Sequence, residues 1–228
     1  MGKTGERGEM GGMGETGKVG KPFFSVIVPA HNSEFFILRC LTSIIRQTFT
    51  DYELIVVCDR CGDNTDGIAR TLADKVIITD YGMDGLARNA GIDAAEGEWI
   101  LFLDDDDWWI HDYVLEELHK AATQHGFLAD VMTFDFIWNT PPEGIPAYYK
   151  NEAGAANIAV WSKAFRRELI GDTRFPAIRM KSDVGFMKQI VDKKPLCYAT
   201  HQLMYYYNFM RPGSQTELYE RAKREAEE

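Results

Sequence analysis

Between Phe23 and Leu103 a short apolar run and an amphipathic stretch alternate, and this repeat constrains the fold more than any other feature of the chain. FFSVIV (23–28), ELIVV (53–57), KVIIT (75–79) and EWILFL (98–103) read as strands, the first closed by Pro29 and Asn32. Between them, apolar residues return at helical spacing. Phe36, Ile37, Cys40, Leu41, Ile44 and Ile45 fall on one face of a helix that Ser33 caps. Asp63 or Asn64 caps a second helix ending near Ala73, and a third spans 84–96 from Asp84. Strands and helices in this order build right-handed βαβ units around a parallel sheet. The predicted fold class is α/β, with a Rossmann-like, mostly parallel central sheet flanked by helices.

A fourth helix is expected over 111–125, after which the pattern loosens. VMTFDFIW (131–138) reads as a strand and 139–150 as a Pro- and Gly-rich loop. Helical stretches are expected at 162–170 and 182–192, and LMYYYNF (203–209) is a late strand. Residues 23–216 form one continuous domain in this reading, and 217–228 a charged, solvated helical end.

Residues 1–22 follow a different rule. Glycine stands at 2, 5, 8, 11, 14, 17 and 20, a collagen-type G-X-Y register. Only one proline fills an X or Y place, so little pre-organised polyproline conformation offsets the ordering entropy. A flexible leader and a short trimerising helix are the two alternatives, and the composition favours the leader. The repeat also generates a GxGxxG match at 12–17 and a near Walker A match at 12–18. Neither follows a strand or opens a helix, and Val19 stands where Ser or Thr should be, so both are rejected.

The net charge of −10 argues against nucleic acid or anionic lipid as a default partner. Four cysteines in 228 residues, at 40, 58, 61 and 197, fit a reducing compartment better than a disulfide scaffold. No apolar run approaches the ~20 residues of a membrane helix, and the N-terminus lacks a signal-peptide core. The expected location is cytoplasmic, with peripheral membrane association left open.

In an open parallel sheet, ligands sit beyond the carboxyl ends of the strands. The residues just after each strand therefore carry the chemistry: Pro29-Ala30-His31-Asn32, Cys58-Asp59-Arg60-Cys61-Gly62-Asp63 and Asp104-Asp105-Asp106-Asp107. Four consecutive aspartates repel one another, and a strand end that crowds them favours a cation. Oxygen ligands suit Mg²⁺ or Mn²⁺, which share their coordination with substrate phosphates. A solvated acidic turn is the bland alternative. Cys58-Asp-Arg-Cys61 also reads as a redox or zinc motif, though no second cysteine pair completes a zinc site. Trp108 and Trp109 are candidates for stacking on a bound ligand or for the core, and His201 is a weaker candidate ligand.

FSVIVPAHN (24–32), ELIVVCDRCGDNTD (53–66), GLARNAGIDAAEGEWILFLDDDD (85–107) and KSD (181–183), in this order, resemble family 2 glycosyltransferases of the GT-A fold. The resemblance runs from about Phe23 to Thr216. It implies a metal-dependent, inverting transfer of a sugar from a nucleotide-sugar donor, with UDP the first candidate, to a hydroxyl of a glycan, lipid-linked or protein acceptor. Such a role fits cell-surface polysaccharide or glycan synthesis. Pro29, Ala30 and Asn32 would line the nucleobase site, Asp59 would read the base, and Arg88 would sit on the donor side. Asp104-Asp105-Asp106 corresponds to the DxD motif, with Asp106 the direct ligand of Mn²⁺ or Mg²⁺ and Asp104 and Asp105 nearer the ribose. Four aspartates in a row leave that register open by one residue. Asp183 matches the catalytic base, although Ser182 replaces the usual preceding Glu and Cys58 replaces a frequent Asp. Arg211 and Ser214 resemble a loop that closes over the diphosphate, with a plain turn set by Pro212 and Gly213 as the alternative. For Asp183 the competing reading is a helix N-cap. For the whole chain it is a non-catalytic glycan- or nucleotide-binding protein, trimerised through the leader.

Deleting residues 1–22 is expected to leave the melting temperature nearly unchanged, because the tract lacks apolar residues able to dock on a core. Sedimentation velocity checks this: a trimer that becomes a monomer on deletion would establish the triple helix instead.

Overall fold

Strand β1 (Phe24–Ala30) is buried at every position, and its neighbours explain why. It pairs in parallel with β2 (Tyr52–Asp59) on one side and with β4 (Trp99–Phe102) on the other, and β3 (Lys75–Thr79) extends the sheet beyond β2. Helices α1 (Ile37–Ile45), α2 (Thr65–Leu72) and α3 (Asp84–Ala94) make the crossovers. The computed structural model describes residues 20–124, 126–140, 145–152 and 157–209, with 214, 217–218, 221–222 and 224–225. The triplet tract up to residue 19 lies outside the described residues, as does Arg211.

Alternate strand residues face opposite sides of the sheet. Val26, Val28, Leu54 and Val56 share one apolar layer with Leu41 and Ile44 of α1 and with Leu115 and Leu118 of α4 (Val114–Thr123). Ile27, Ile55, Val57 and Ile100 share the other with Ala87 and Ile92 of α3 and with Phe186 and Ile190 of α6 (Ser182–Asp192). Both faces are covered, so the strands are continuously apolar rather than alternating.

The second half completes the sheet with antiparallel and parallel additions. Strands β5 (Trp108–Trp109), β6 (Val131–Thr140), β8 (Lys163–Arg166) and β9 (Cys197–Tyr207) give the order β3-β2-β1-β4-β8-β6-β9-β5, with β7 (Ile145–Tyr149) paired to β6. Three expectations fail here. The stretch 162–170 is not one helix: a 3-10 turn (Val160–Ser162) leads into β8, and only α5 (Arg167–Ile170) is helical. β8 fills the gap between β4 and β6, burying Ala164 and Phe165 on opposite faces, and that pairing overrides local propensity. Of the expected loop at 139–150, residues 139–140 and 145–149 are paired strand instead, with the rings of Phe136 and Tyr149 stacked at a centroid distance of 4.6 Å. The late strand starts at Cys197, six residues early, because β6 supplies a parallel partner that far back.

Helix starts also differ from expectation. Ser33 does not cap α1 with its side chain: its Oγ is buried without a partner, while its carbonyl accepts from Phe36 N and Ile37 N. Ile45 is exposed, so the buried face of α1 is Ile37, Cys40, Leu41 and Ile44. Asp63 does serve α2, accepting from Thr65 N at 3.0 Å. α3 and α4 are shorter at their ends than the periodicity suggests.

A buried polar cluster ties the far edge of the sheet together. Ser25 Oγ donates to Glu53 Oε1 (2.6 Å), Glu96 N donates to the same oxygen (2.7 Å), and Lys75 Nζ lies 2.8 Å from Glu53 Oε2. Gly97 N donates to Ser25 Oγ at 2.9 Å, a contact only glycine can make here: a Cβ at this position would lie 2.6 Å from Ser25 N and 2.7 Å from Phe24 C. Backbone cannot yield as a side chain can. Gly97→Ala is therefore expected to destabilise by roughly 1–3 kcal/mol, read as a lower urea midpoint. Gly62→Ala, whose nearest atom would be 3.8 Å away, should stay within about 0.5 kcal/mol of wild type.

Candidate active site

The carboxyl ends of β1, β2 and β4 open on a cleft of about 540 Å³, which α3, α6 and residues from the second half close on the other side. At the end of β2, Asp59 is nearly buried and held by three donors. Thr79 Oγ1 (2.9 Å) and Tyr81 N (2.6 Å) bond Oδ1, and Met83 N (3.1 Å) bonds Oδ2. A carboxylate offers about four acceptor positions, so one remains, on Oδ2. The Asp59 carbonyl accepts from His31 Nδ1 at 2.7 Å, which fixes the imidazole of the residue after Ala30. Pro29 and Ala30 line the cleft beside it. Asn32 also borders the cleft, but its Oδ1 accepts from Gly62 N at 2.7 Å and so ties two loops together.

Arg88, one turn after Asp84 on α3, gathers the acidic groups. Its side chain is 5% exposed; Nη1 donates to Asp84 Oδ2 at 2.5 Å, Nη2 to Asp104 Oδ1 at 2.7 Å, and Nη1 lies 3.8 Å from Asp183 Oδ1. Burial alone would lower its pKa, but the carboxylates of Asp104, Asp183 and Asp84 outweigh burial and hold the guanidinium charged. α3 can approach this closely because Gly91 lies flush on β1, where a Cβ would meet Ile27 Cγ2 at 2.3 Å.

The four aspartates after β4 divide by environment. Asp104, Asp105 and Asp106 line the cleft, and Asp105 Oδ2 accepts from His31 N at 3.0 Å. Asp107 turns the other way: fully buried, it accepts from Tyr205 Oη and from Asn208 N (2.7 Å). Burial, with Asp106 and Asp104 alongside, pushes its carboxyl well up. Arg39 of α1 donates to the Asp106 carbonyl at 3.0 Å and fixes this turn from outside.

Asp183 enters from α6. Lys181 occupies the position before the helix, in a left-handed conformation (φ 61°), and no side chain caps the helix. Asp183 Oδ1 is buried without a hydrogen bond, which removes the N-cap reading for this oxygen. Burial, reinforced by Asp104 and Asp84 against Arg88 and Lys163, raises the carboxyl to about 6, where the first turn of a helix would by itself keep it low. Ser182, in place of a Glu, sets its Oγ 3.3 Å from Asp84 Oδ2.

Other candidates fall away from the cleft. Trp108 is stacked on Tyr206 (3.9 Å) and covered by the Arg39 guanidinium (3.7 Å), so both faces are taken, and Trp109 is buried. Neither offers a face to a sugar. His201 is exposed on a β9 bulge and does not border the cleft. Cys61 Sγ donates to Ala30 O, and the Cys58–Cys61 hydrogen bond lowers the Cys61 thiol to about 7. Among the described residues, no three His, Cys, Asp or Glu side chains form a metal cluster by themselves. Ser214 borders the cleft. Sequence reasoning gave no specific role to His31, read only as one of the residues after β1, or to Asp84, read only as a helix start; the place of His31 directly after a strand was its signal.

The model of the family described as Glycosyl transferase family 2 matches residues 25–182. The chain is 28% identical over 195 residues to the glycosyltransferase GlyA of Streptococcus pneumoniae, covering 73% of this chain and 27% of that protein. It is also 28% identical over 195 residues to the Escherichia coli UDP-Glc:alpha-D-GlcNAc-diphosphoundecaprenol beta-1,3-glucosyltransferase WfaP, covering 80% and 76%. The putative glycosyltransferase EpsH of Bacillus subtilis matches at 31% over 166 residues, 65% of this chain and 48% of its own length. This chain thus spans between a quarter and a half of GlyA and EpsH. Among solved structures, Staphylococcus aureus TarS 1–349 in complex with UDP-GlcNAc superposes with a TM-score of 0.70 at 26% identity, over 85% of this chain and 60% of that one. A family match over this span, on a mixed sheet with its acidic cleft at the strand ends, makes the chain a member of glycosyl transferase family 2.

Proposed function

We propose that this chain transfers a sugar from a nucleotide-sugar donor, UDP-linked, to an acceptor hydroxyl with inversion at the anomeric carbon. The observation that carries the reading is the division of one cleft into two chemistries. At one end a buried carboxylate, Asp59, has a single acceptor position left; at the other a desolvated carboxylate, Asp183, faces the cleft beyond Arg88. One remaining acceptor suits one imide N–H, such as that of uracil. The TarS complexes with UDP and UDP-GlcNAc and the UDP-Glc donor in WfaP's description support the choice of nucleotide.

The residues present fit a divalent cation. Asp84, Asp104, Asp105, Asp106 and Asp183 border the cleft against Arg88 and Lys181, so a diphosphate entering it would meet an excess of negative charge. Asp106 would hold Mn²⁺ or Mg²⁺, hard ions that take carboxylate oxygens and share the rest of their coordination with phosphates and water. When bound, the ion neutralises charge on the leaving diphosphate. Arg88 fixes Asp104 on the donor side, and His31 N does the same for Asp105. Asp183 takes the proton of the acceptor hydroxyl as the new bond forms, a contribution of about 10²–10⁴ in rate.

Asp106→Ala should leave melting intact and abolish the Mn²⁺-dependent part of UDP affinity, measured by calorimetry. Unchanged affinity would move the ion elsewhere.

Asp183→Asn tests the base, with hydrolysis of UDP-sugars in the presence of Mn²⁺ as the assay. Near-native melting and UDP affinity are expected, with turnover down about 10²-fold or more. The base works unprotonated, so wild-type kcat/KM should fall as pH drops through about 6, the value to which burial raises Asp183. Turnover near wild type in the variant would place the base elsewhere, and no donor hydrolysis by the wild type at all would favour a binding protein.

A further inference from the structure

Lys163 is fully buried at the start of β8, which is rare for lysine unless a carboxylate pairs with it. Here Nζ donates to Ala159 O at 2.7 Å and lies 3.4 Å from Ser162 Oγ. Among the described residues no carboxylate closes a salt bridge on it. The proposed sugar transfer does not itself use this cation.

Its place in the sheet explains it. β8 runs antiparallel to β4, with Leu101 opposite Ala164, so the start of β8 lies at the carboxyl end of β4 beside the cleft. Lys163 and Phe165 project to the same face of the sheet. Phe165 packs edge-on against Phe186 of α6, with centroids 5.8 Å apart. Lys163 is one step of the strand nearer the cleft, and Asp183 is one turn nearer the start of α6. Lys163 is therefore on the α6 face of the sheet, toward the end where that helix begins, and its charge and that of Asp183 act on each other.

Arg88 is the larger of the two positive influences on Asp183 and Lys163 the smaller, but Arg88 is shared among three carboxylates. Its two terminal nitrogens are committed to Asp84 and Asp104, and Asp183 receives only the 3.8 Å contact. Asp183 faces Asp84, Asp104, Arg88 and Lys163, while the other charge-bearing group facing Lys163 is Cys197 at the start of β9. We propose that Lys163 is the positioning residue for the base, a buried positive charge near Asp183 that holds the carboxylate in its proton-accepting form. This role rests on the transferase reading. Burial pulls the ammonium down to about 7, so the charge remains available over the range in which Asp183 titrates.

Lys163→Met should fold, since it removes a costly buried charge and Ala159 O keeps a donor in Ser162 Oγ at 3.0 Å. Lys163→Gln keeps a polar donor but no charge. The full chain, labelled with ¹³C at aspartate carboxyls, is titrated by NMR, with Asp183→Asn assigning the signal. Both variants are expected to move the Asp183 midpoint measurably upward and to carry the acid limb of UDP-sugar hydrolysis with it, at unchanged UDP–Mn²⁺ affinity. An unmoved midpoint in Lys163→Met, or a Gln variant that titrates like wild type, would overturn the role, since hydrogen bonding rather than charge would then be the function of Lys163. A wild type that fails to bind UDP with Mn²⁺ would overturn the transferase reading and this role with it. Normal binding with an unmoved midpoint removes this role alone.

Discussion

One buried guanidinium allows carboxylates from three parts of the chain to share a cleft. Arg88 joins Asp84 on its own helix to Asp104 after β4 and reaches toward Asp183 on α6. Without it these groups would repel one another in a setting that screens charge poorly, and removing one member of such a buried set leaves the others uncompensated. Its position depends in turn on the packing beneath: Gly91 lets α3 lie against Ile27 of β1, and Gly85 lets it meet Ser182 and Phe175. Site and core are therefore one construction. The motif residues of the 85–107 segment that carry no chemistry set the distance at which the others act.

The same residue type performs four tasks here because the environments differ. Asp59 is saturated by donors from β3 and the loop after it, leaving one acceptor position. Asp104 is paired with a cation, and Asp107 is buried against Tyr205 as part of the core. Asp183 alone is both desolvated and short of hydrogen bonds on Oδ1. Such separation of carboxylate environments is how a fold assigns acid, base and structural roles at one pH.

Much of this was legible from residue order. The first four strands and their crossover helices follow from apolar periodicity, since burial on both faces demands continuous apolar runs and the strand ends must then carry the polar residues. Asp59, Arg88, Asp104 to Asp106 and Asp183 stand out in residue order, and all of them line one cleft. The second half was less legible. WSKAFRRELI looks helical locally, yet it starts with a turn and a strand, because the gap between β4 and β6 offers hydrogen-bond partners that no local pattern reveals.

The sequence by itself determined the parallel half of the sheet, the edge on which chemistry would gather and the residue types available there, because these depend on periodicity and strand direction. Only the tertiary structure decided which of four adjacent aspartates leaves the cleft, since Tyr205 and Asn208, about a hundred residues away, claim Asp107. It also decided that both faces of Trp108 are covered, that Asp183 is desolvated rather than capping a helix, and that Lys163 is fully buried. Each of these outcomes depends on distances between groups far apart in the chain, and desolvation and Coulomb energy are functions of distance, not of sequence order.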